Sequence, residues 1–146
     1  MENLSSFRGY FELKPGSTRP QKISHVLFDF DGTISLIREG WQEVMVPMFV
    51  EMLPRTADDT EESVHRLMRE DITRLTGKQT IYQMIQFADR IKERGGIPKE
   101  PLWYKDEYLR RLHVRIQNRL DGLRDGSLHP DKFLVFGTRK LLECMS

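Results

Sequence analysis

Two carboxylates, Asp29 and Asp31, stand two positions apart directly after the apolar residues 26–28. Side chains at positions i and i+2 of an extended segment project to the same side, so both carboxylates can address one ligand. An ionised carboxylate can attack phosphorus and form an aspartyl-phosphate, which divides one hard displacement into two easier ones. A second carboxyl group held near an anionic phosphate can act as acid and then as base. The spacing therefore suits phosphoryl transfer, in which Asp29 would be the nucleophile and Asp31 the general acid.

The residues around this pair strengthen the prediction. Phe30 lies between the two acids, and Gly32 and Thr33 follow them. Glycine lets the backbone turn tightly beneath a phosphate, so we expect Phe30, Gly32 and Thr33 to shape and support the loop. The alternative is an ordinary acidic turn after a strand, because Asp and Gly favour turns for their own conformational reasons. The apolar residues before the pair and the Gly-Thr-Ile after it favour the catalytic loop.

Residues 26–34, an apolar run followed by Asp-x-Asp-Gly-Thr, resemble the first motif of the haloacid-dehalogenase superfamily of phosphohydrolases. The resemblance implies a metal held by the carboxylate of Asp29 and the backbone carbonyl of Asp31. Mg²⁺ suits such sparse oxygen ligation with several waters retained. The acid at Asp31 favours phosphate ester chemistry, since the dehalogenase branch lacks it. The expected activity is therefore Mg²⁺-dependent hydrolysis of a small phosphorylated metabolite through an aspartyl-phosphate.

The fold that this resemblance implies is an α/β Rossmann-like core with an inserted, mainly helical cap. Residues 1–22, which are rich in glycine and proline, predict an extended lead-in. The β-branched and aromatic residues between 23 and 30 predict a buried first strand, so residues 23–36 would form that strand and the catalytic loop. Residues 37–124 would form the cap, which resembles that of phosphoglycolate-phosphatase-like members. Residues 125–146 would return the chain to the core.

Apolar residues that recur at steps of three and four predict four helices in the cap. The first spans residues 37–53, and Pro47 is expected to kink or divide it because proline removes a backbone donor. The second follows the capping acids Asp58 and Asp59, the third starts at a capping box of Thr80 and Gln83, and the fourth begins near Pro101. The buried face of the fourth is predicted to be Leu109, Leu112, Ile116, Leu120 and Leu123. A shorter helix is predicted from residue 138 to residue 145.

Two cations are candidates for substrate contact. Arg38 lies just beyond the catalytic loop and Lys78 lies in the cap, although a solvated arginine and a simple turn lysine are the alternatives. The sequence around Lys78 lacks the first glycine and the Ser or Thr of a P-loop, which argues against nucleotide binding. Three further arginines repeat every four residues and predict either a surface for an acidic partner or a solvated helix face: Arg111, Arg115 and Arg119.

Three other parts of the superfamily's site have no clear counterpart: a Ser or Thr after a second apolar strand, a Lys, and a later acidic residue. Thr138 follows the apolar residues 133–136, but it fits the start of a helix better. We therefore expect an incomplete core and little or no activity from this chain alone, because the metal would be under-coordinated and the phosphate charge poorly offset. The alternatives are a non-catalytic helical interaction module that retains the loop, and a phosphomutase or phosphotransferase with the same aspartyl-phosphate.

Composition favours one ordinary globular domain, with 146 residues and 23 Lys and Arg against 22 Asp and Glu. The resulting net charge of +1 argues against a nucleic-acid surface. No window approaches the roughly 18 apolar residues that cross a bilayer, and residues 1–10 lack the apolar stretch of a secretory leader. The single cysteine, Cys144, cannot form an internal disulfide, which agrees with a reducing compartment. We therefore expect a cytoplasmic protein with no membrane segment, and the oligomeric state stays open.

Overall fold

The computed structural model of the protein describes residues 24–145, which form five α-helices and one short 3₁₀-helix. The α-helices are α1 (Gln42–Met52), α2 (Glu61–Arg74), α3 (Thr80–Glu93), α4 (Pro101–Arg124) and α5 (Thr138–Met145), and the 3₁₀-helix spans Pro130–Phe133. Helix α1 packs on α2 and α4, and α3 packs on the same two helices, so the first four close into a bundle. Within the described range, no helix combines the length and the apolar character needed to cross a bilayer.

The predicted α/β fold is wrong for residues 24–145, because they contain no β-strand. Residues 24–30 have no regular secondary structure, and Leu27 is 99% exposed where a buried strand was expected. A strand needs neighbours that satisfy its backbone groups, and the described residues supply only isolated bridges of Ser35 to Asp31 and to Leu134. Residues 1–22, predicted as an extended lead-in, and Ile23 lie outside the described residues.

The prediction of four helices between residues 37 and 124 is confirmed, with shifted boundaries. Helix α1 starts at Gln42, later than predicted, because the preceding residues form tight turns that end at Gly40 with φ of +87°. Pro47 lies inside α1 without dividing it. Helix α4 begins at Pro101, where proline costs nothing because the first amide of a helix lacks an internal partner. The predicted helix from residue 138 to residue 145 is also confirmed as α5.

Two of the predicted helix caps are wrong. Helix α2 is capped by Thr60, whose hydroxyl accepts a hydrogen bond from the Ser63 amide at 3.1 Å while the Ser63 hydroxyl accepts one from the Thr60 amide at 3.0 Å. Helix α3 does begin at Thr80, but no side chain caps it. The amide group of Gln83 turns inward instead and donates to the Ile72 carbonyl at 3.3 Å, which joins α3 to the end of α2.

An aromatic cluster forms the centre of the bundle. The rings of Phe49 and Phe87 stack with centroids 4.0 Å apart, and Tyr104 meets Phe87 edge-on at 5.1 Å. On α4, Leu112 and Ile116 are buried as predicted. The predicted inner residue Leu109 is 38% exposed, however, and Tyr104 and Tyr108 are buried in its place. The largest fully buried side chains are Phe49, Phe87, Met45, Met48, Met68, Ile72, Met84 and Val64.

The arginine stripe of α4 contacts α1 and the segment before it, so neither sequence interpretation of the stripe is complete. Arg111 donates to both carboxylate oxygens of Glu51, at 2.7 and 3.0 Å, and Arg115 pairs with Glu43 in the first turn of α1. The hydrogen bond from Arg111 lowers the pKa of the Glu51 carboxyl. Exposed pairs of this kind contribute little to stability, so their main effect is to fix how α4 lies on α1.

An ion pair between Asp59 and Arg94 predicts how stability depends on acid. Arg94 donates to both oxygens of the Asp59 carboxylate and to the Pro54 carbonyl, which ties the end of α3 to the connection before α2. Hydrogen bonds from Arg94, and then from the Thr56 amide, lower the pKa of Asp59 from 3.8 to about 2. A carboxyl group with a lowered folded-state pKa stabilises the fold fully above its unfolded pKa and stops doing so as the pH falls through the folded pKa.

We therefore expect Asp59→Asn to destabilise the protein above about pH 4, and the deficit to shrink as the pH falls towards about 2. Urea unfolding of the wild type and the variant at several pH values between 2 and 7 measures this difference. Asp58→Asn removes the exposed neighbouring carboxylate as a control and is expected to leave the acid profile unchanged. A deficit for Asp59→Asn that stays constant over the whole range contradicts the assignment.

Candidate functional site

The loop that holds the two acids is a compact turn. The Phe30 carbonyl accepts backbone hydrogen bonds from Ile34 and Ser35, both at 2.9 Å, and the Gly32 amide donates to the Ser35 carbonyl at 2.8 Å. Gly32 has φ of +78°, a value that residues with a Cβ rarely adopt. A Cβ at that position would meet no atom within 4 Å, so backbone conformation rather than space calls for glycine.

Asp29 lies on the exposed side of this turn. The hydroxyl of Thr33 donates to the Asp29 Oδ2 at 3.4 Å, a long hydrogen bond that still points the carboxylate back over the loop. Thr33 thus contacts the predicted nucleophile. Phe30 is 58% exposed, so its ring lies outside the apolar core and does not anchor the loop there.

Asp31 forms an ion pair with Arg38. The Arg38 Nη1 lies 2.9 Å from the Asp31 Oδ2, and both side chains are about half exposed, at 49% and 46%. The pair connects the acidic loop to the turn that leads into α1. The predicted general acid and one of the two predicted substrate-binding cations are therefore in direct contact.

A cavity of about 150 Å³ opens beside this ion pair. Asp31, Arg38 and Trp41 form one wall of the cavity, the connection between α2 and α3 forms another, and Tyr108 and Leu109 of α4 close it. Lys78, the second predicted substrate contact, is in the same lining, with Thr76, Gly77, Thr80 and Gln83. Asp31, Arg38 and Lys78 thus meet at one cavity although 47 positions separate the first from the last.

A second cavity of about 210 Å³ shares Asp31, Arg38 and Trp41 with the first. Its other lining residues are Gly32, Ser35, Leu36, Glu39 and Gly40. The Asp31–Arg38 ion pair belongs to the common wall of both cavities. Asp29, Phe30 and Thr33 line neither of them, so the predicted nucleophile lies outside the cavities that the predicted acid borders.

The turn between α2 and α3 places Lys78 in the cavity wall. Gly77 has φ of +88°, and the Lys78 amide donates to the Leu75 carbonyl at 3.1 Å, which closes the turn after α2. The Thr76 hydroxyl donates to the Ile72 carbonyl at 3.1 Å and fixes the same turn. The Lys78 side chain is exposed and lines the cavity, and no hydrogen bond or ion pair among the described residues involves its ammonium. It is therefore available to an anion.

Tyr108 and Trp41 are site residues that the sequence patterns did not single out. Burial raises the pKa of Tyr108 to about 12, with smaller opposing contributions from Arg38 and Asp31. Its phenol therefore stays protonated near neutral pH and can donate a hydrogen bond into the cavity. A signal was present in the sequence, because Tyr104 and Tyr108 continue the four-residue spacing of Leu112 and Ile116 towards the start of α4.

Two oxygens of the loop, on the Asp29 carboxylate and the Asp31 carbonyl, are open to a ligand. Among the residues that the structure describes, the exposed Asp29 carboxylate accepts a hydrogen bond only from the Thr33 hydroxyl, and the Asp31 carbonyl accepts none. No three His, Cys, Asp or Glu side chains between residues 24 and 145 lie close enough to hold a metal. Most of the six positions that Mg²⁺ prefers would thus be left to water and to oxygens of a substrate.

The fold and the site together define a helical bundle that carries an acidic loop against one of its cavities. A scan against family models finds no match for the chain. Searches of curated proteins and of solved structures find no significant match either. The geometry of the site and the sequence of residues 26–34 are therefore the features that bear on function.

Proposed function

We propose that the protein acts on a small phosphorylated metabolite as a Mg²⁺-dependent phosphohydrolase whose loop carries both reacting carboxylates. The observation that carries the proposal is the convergence of Asp31, Arg38 and Lys78 on one cavity beside the Asp29 loop. One acid and two cations around one cavity suit a phosphate ester, because the cations offset its charge and the acid can protonate its leaving oxygen.

Asp29 lines neither cavity, so the proposed reaction requires the phosphoryl group to stand at the edge of the cavity next to the loop. There an oxygen of the Asp29 carboxylate attacks phosphorus while the bond from phosphorus to the ester oxygen breaks. Asp31 gives a proton to the departing oxygen, then takes one from the water that attacks the aspartyl-phosphate, so that inorganic phosphate leaves and Asp29 is restored. Bound Mg²⁺ supplies charge neutralisation on the phosphoryl oxygens. Arg38 would exchange Asp31 for the substrate phosphate, which frees the carboxyl group for proton transfer.

The cavity limits the size of the substrate. A volume of about 150 Å³ equals that of cavities that hold one benzene molecule, whereas pockets for drug-sized ligands start at about 300 Å³. The cavity therefore suits a small organic group better than a nucleoside. Trp41 and Tyr108 offer flat apolar surface to this group, and the side chains of Thr76, Thr80 and Gln83 offer polar atoms.

Turnover by the described residues is expected to be slow. Asp29 and the Asp31 carbonyl would hold Mg²⁺ through only two protein oxygens, and no group of three acidic, His or Cys side chains in residues 24–145 is placed to hold it more firmly. Binding of a phosphate ester, and a single transfer of its phosphoryl group to Asp29, need fewer catalytic groups than repeated hydrolysis does. These two steps are therefore the better tests of the proposal.

We expect Arg38→Ala to weaken the binding of phenyl phosphate roughly tenfold to a hundredfold, because a hydrogen bond to a charged group contributes about 1.5–3 kcal/mol. Lys78→Ala is expected to weaken it by a smaller factor, since Lys78 is exposed. Titration with phenyl phosphate in Mg²⁺, followed by amide NMR shifts, gives the dissociation constants. Adenosine 5′-monophosphate is expected to bind more weakly than phenyl phosphate because its nucleoside exceeds the cavity.

Lys132→Ala serves as the matched control, since Lys132 is an exposed lysine that lines neither cavity. It is expected to bind phenyl phosphate as the wild type does. Equal losses for Arg38→Ala and Lys132→Ala would show only a general effect of positive charge. Such a result would remove the basis for a phosphate site at the ion pair.

One observation favours a second function, the non-catalytic interaction module. Several large apolar side chains on the two segments next to the loop are exposed, including Leu27 at 99% and Phe136 at 103%. Exposed apolar patches commonly mark protein contacts. If the protein is an interaction module, we expect Asp29→Asn and Asp31→Asn to leave any measured phosphoryl transfer at the level of the wild type. This expectation distinguishes the module from the enzyme.

A further inference from the structure

The backbone on either side of Arg38 is bound by a residue of α4. The Arg119 Nη1 donates to the Ile37 carbonyl at 2.8 Å and to the Glu39 carbonyl at 2.9 Å. Arg119 is 81 positions away from Arg38 in the sequence. Its guanidinium thus holds the backbone carbonyls of the two residues on either side of Arg38, the residue paired with Asp31.

The local hydrogen bonds of this segment do not fix it to the bundle. The Glu39 amide donates to the Leu36 carbonyl at 2.9 Å and the Trp41 amide to the Arg38 carbonyl at 3.1 Å, so both bonds close turns within the segment itself. The hydrogen bonds from Arg119 attach the segment to a rigid element, because α4 is the longest helix of the described residues and its buried face is part of the core. Trp41 also packs against the core, and the Leu36 amide donates to the Phe133 carbonyl at 2.7 Å, so Arg119 is the contact that ties the residues next to Arg38 directly to α4.

The other arginines of the stripe have different partners. Arg111 and Arg115 pair with carboxylates on α1, and Arg111 also pairs with Glu107 of its own helix. Arg124, which lies beyond the stripe, pairs with Asp121 at 3.2 Å. Arg119 is the arginine of the stripe that donates to backbone carbonyl oxygens next to a site residue, Arg38. The carbonyl oxygens carry no formal charge, so these hydrogen bonds fix the position of the backbone next to Arg38 more than they neutralise the charge of Arg119.

We propose that Arg119 is a positioning residue that places the Arg38 guanidinium for phosphate binding. The inference rests on the proposed function, in which Arg38 binds the substrate phosphate. A cation that must meet a phosphate within hydrogen-bond distance loses affinity when its backbone is free to shift, because even a displacement of about 1 Å can be costly. Arg119 itself touches neither the substrate nor the acids.

A double-mutant cycle on the binding of inorganic phosphate tests the inference. Arg119→Ala is expected to weaken phosphate binding roughly threefold to tenfold in the wild-type background and to have no further effect in Arg38→Ala, because coupled residues are non-additive. A purely structural role for Arg119 would lower affinity by the same factor in both backgrounds. Arg119→Gln, which keeps a polar surface residue, is expected to reproduce the result if Arg119→Ala folds poorly.

Amide hydrogen exchange supplies a second readout. Exchange at Glu39 and Trp41 is expected to accelerate in the Arg119 variants, while amides in the centre of α4 keep the wild-type rate. Arg124→Ala is the matched control on the same helix and is expected to change neither phosphate affinity nor exchange at Glu39. Additive losses in the cycle, unchanged exchange at Glu39 and Trp41, or no saturable binding of phosphate to the wild type would each overturn the inference.

The outcome is distinguishable from that of the proposed function. Phosphate binding that follows the cycle, in a protein that never becomes phosphorylated on Asp29, would keep the role of Arg119 and reject the hydrolase. Phosphorylation of Asp29 that Arg38→Ala and Arg119→Ala leave unchanged, together with additive losses of phosphate affinity, would keep the enzyme and reject the positioning role.

Discussion

Asp29→Asn is expected to abolish transfer of a phosphoryl group to the protein. An amide oxygen is a far weaker nucleophile than a carboxylate, so the yield of phosphorylated protein should fall by roughly a thousandfold or more. Acid quenching after incubation with Mg²⁺ and a labelled phosphate donor, followed by counting of the protein fraction, measures the yield. Sensitivity of the label to hydroxylamine distinguishes an acyl phosphate from a phosphate ester of Ser or Thr.

Asp31→Asn provides the control that separates the two carboxylates. Transfer from phenyl phosphate needs a proton on the leaving oxygen, so this variant should lose roughly 10²- to 10⁴-fold with that donor. Transfer from acetyl phosphate releases a carboxylate that needs no proton, so Asp31→Asn should still be labelled by it. Equal loss with both donors would contradict the role of Asp31 as acid. Full labelling of Asp29→Asn would contradict the role of Asp29.

Phe87→Ala is expected to lower the free energy of unfolding by about 3–5 kcal/mol, because it removes a large buried ring and leaves a cavity in the core. Phe87 is 1% exposed, stacks on Phe49 and meets Tyr104 edge-on, so α1, α3 and α4 all lose contacts when it is truncated. Urea unfolding followed by far-ultraviolet circular dichroism measures the free energy of unfolding.

Tyr82→Ala is the matched control for this prediction. Tyr82 lies on the same helix as Phe87, but it is 51% exposed, and surface substitutions usually change stability by about 0.5 kcal/mol or less. Phe87→Leu keeps most of the buried volume and should cost clearly less than Phe87→Ala. A loss below about 1 kcal/mol for Phe87→Ala would show that the aromatic cluster does not hold the bundle together.

The helices could be predicted from the sequence because their signals are local. Apolar spacing and the proline at position 101 depend on neighbours within one or two turns, and α4 begins there as predicted. The strand prediction at residues 23–30 failed because a strand depends on partners that are distant in sequence. Residues 24–30 have suitable composition, but within the described range they gain no ladder.

The residues of the candidate site could be named from the sequence, but their arrangement in space could not. Asp31, Arg38 and Lys78 could be named from motif and charge, and the structure places all three at one cavity. Arg119 could not be assigned a role from the sequence, because its partners are backbone carbonyls, which leave no trace in residue identity. Asp59 was predicted as a helix cap and instead pairs with Arg94, a contact between residues 35 positions apart.

The most direct test of the central claim is ¹⁹F NMR of beryllofluoride, a mimic of the phosphoryl group on a carboxylate, added to the protein with Mg²⁺. We predict bound fluoride signals in the wild type that require Mg²⁺, are absent in Asp29→Asn and persist in Asp31→Asn. Bound signals that survive in Asp29→Asn, or no bound signal in the folded wild type, would contradict a phosphoryl-accepting carboxylate at Asp29.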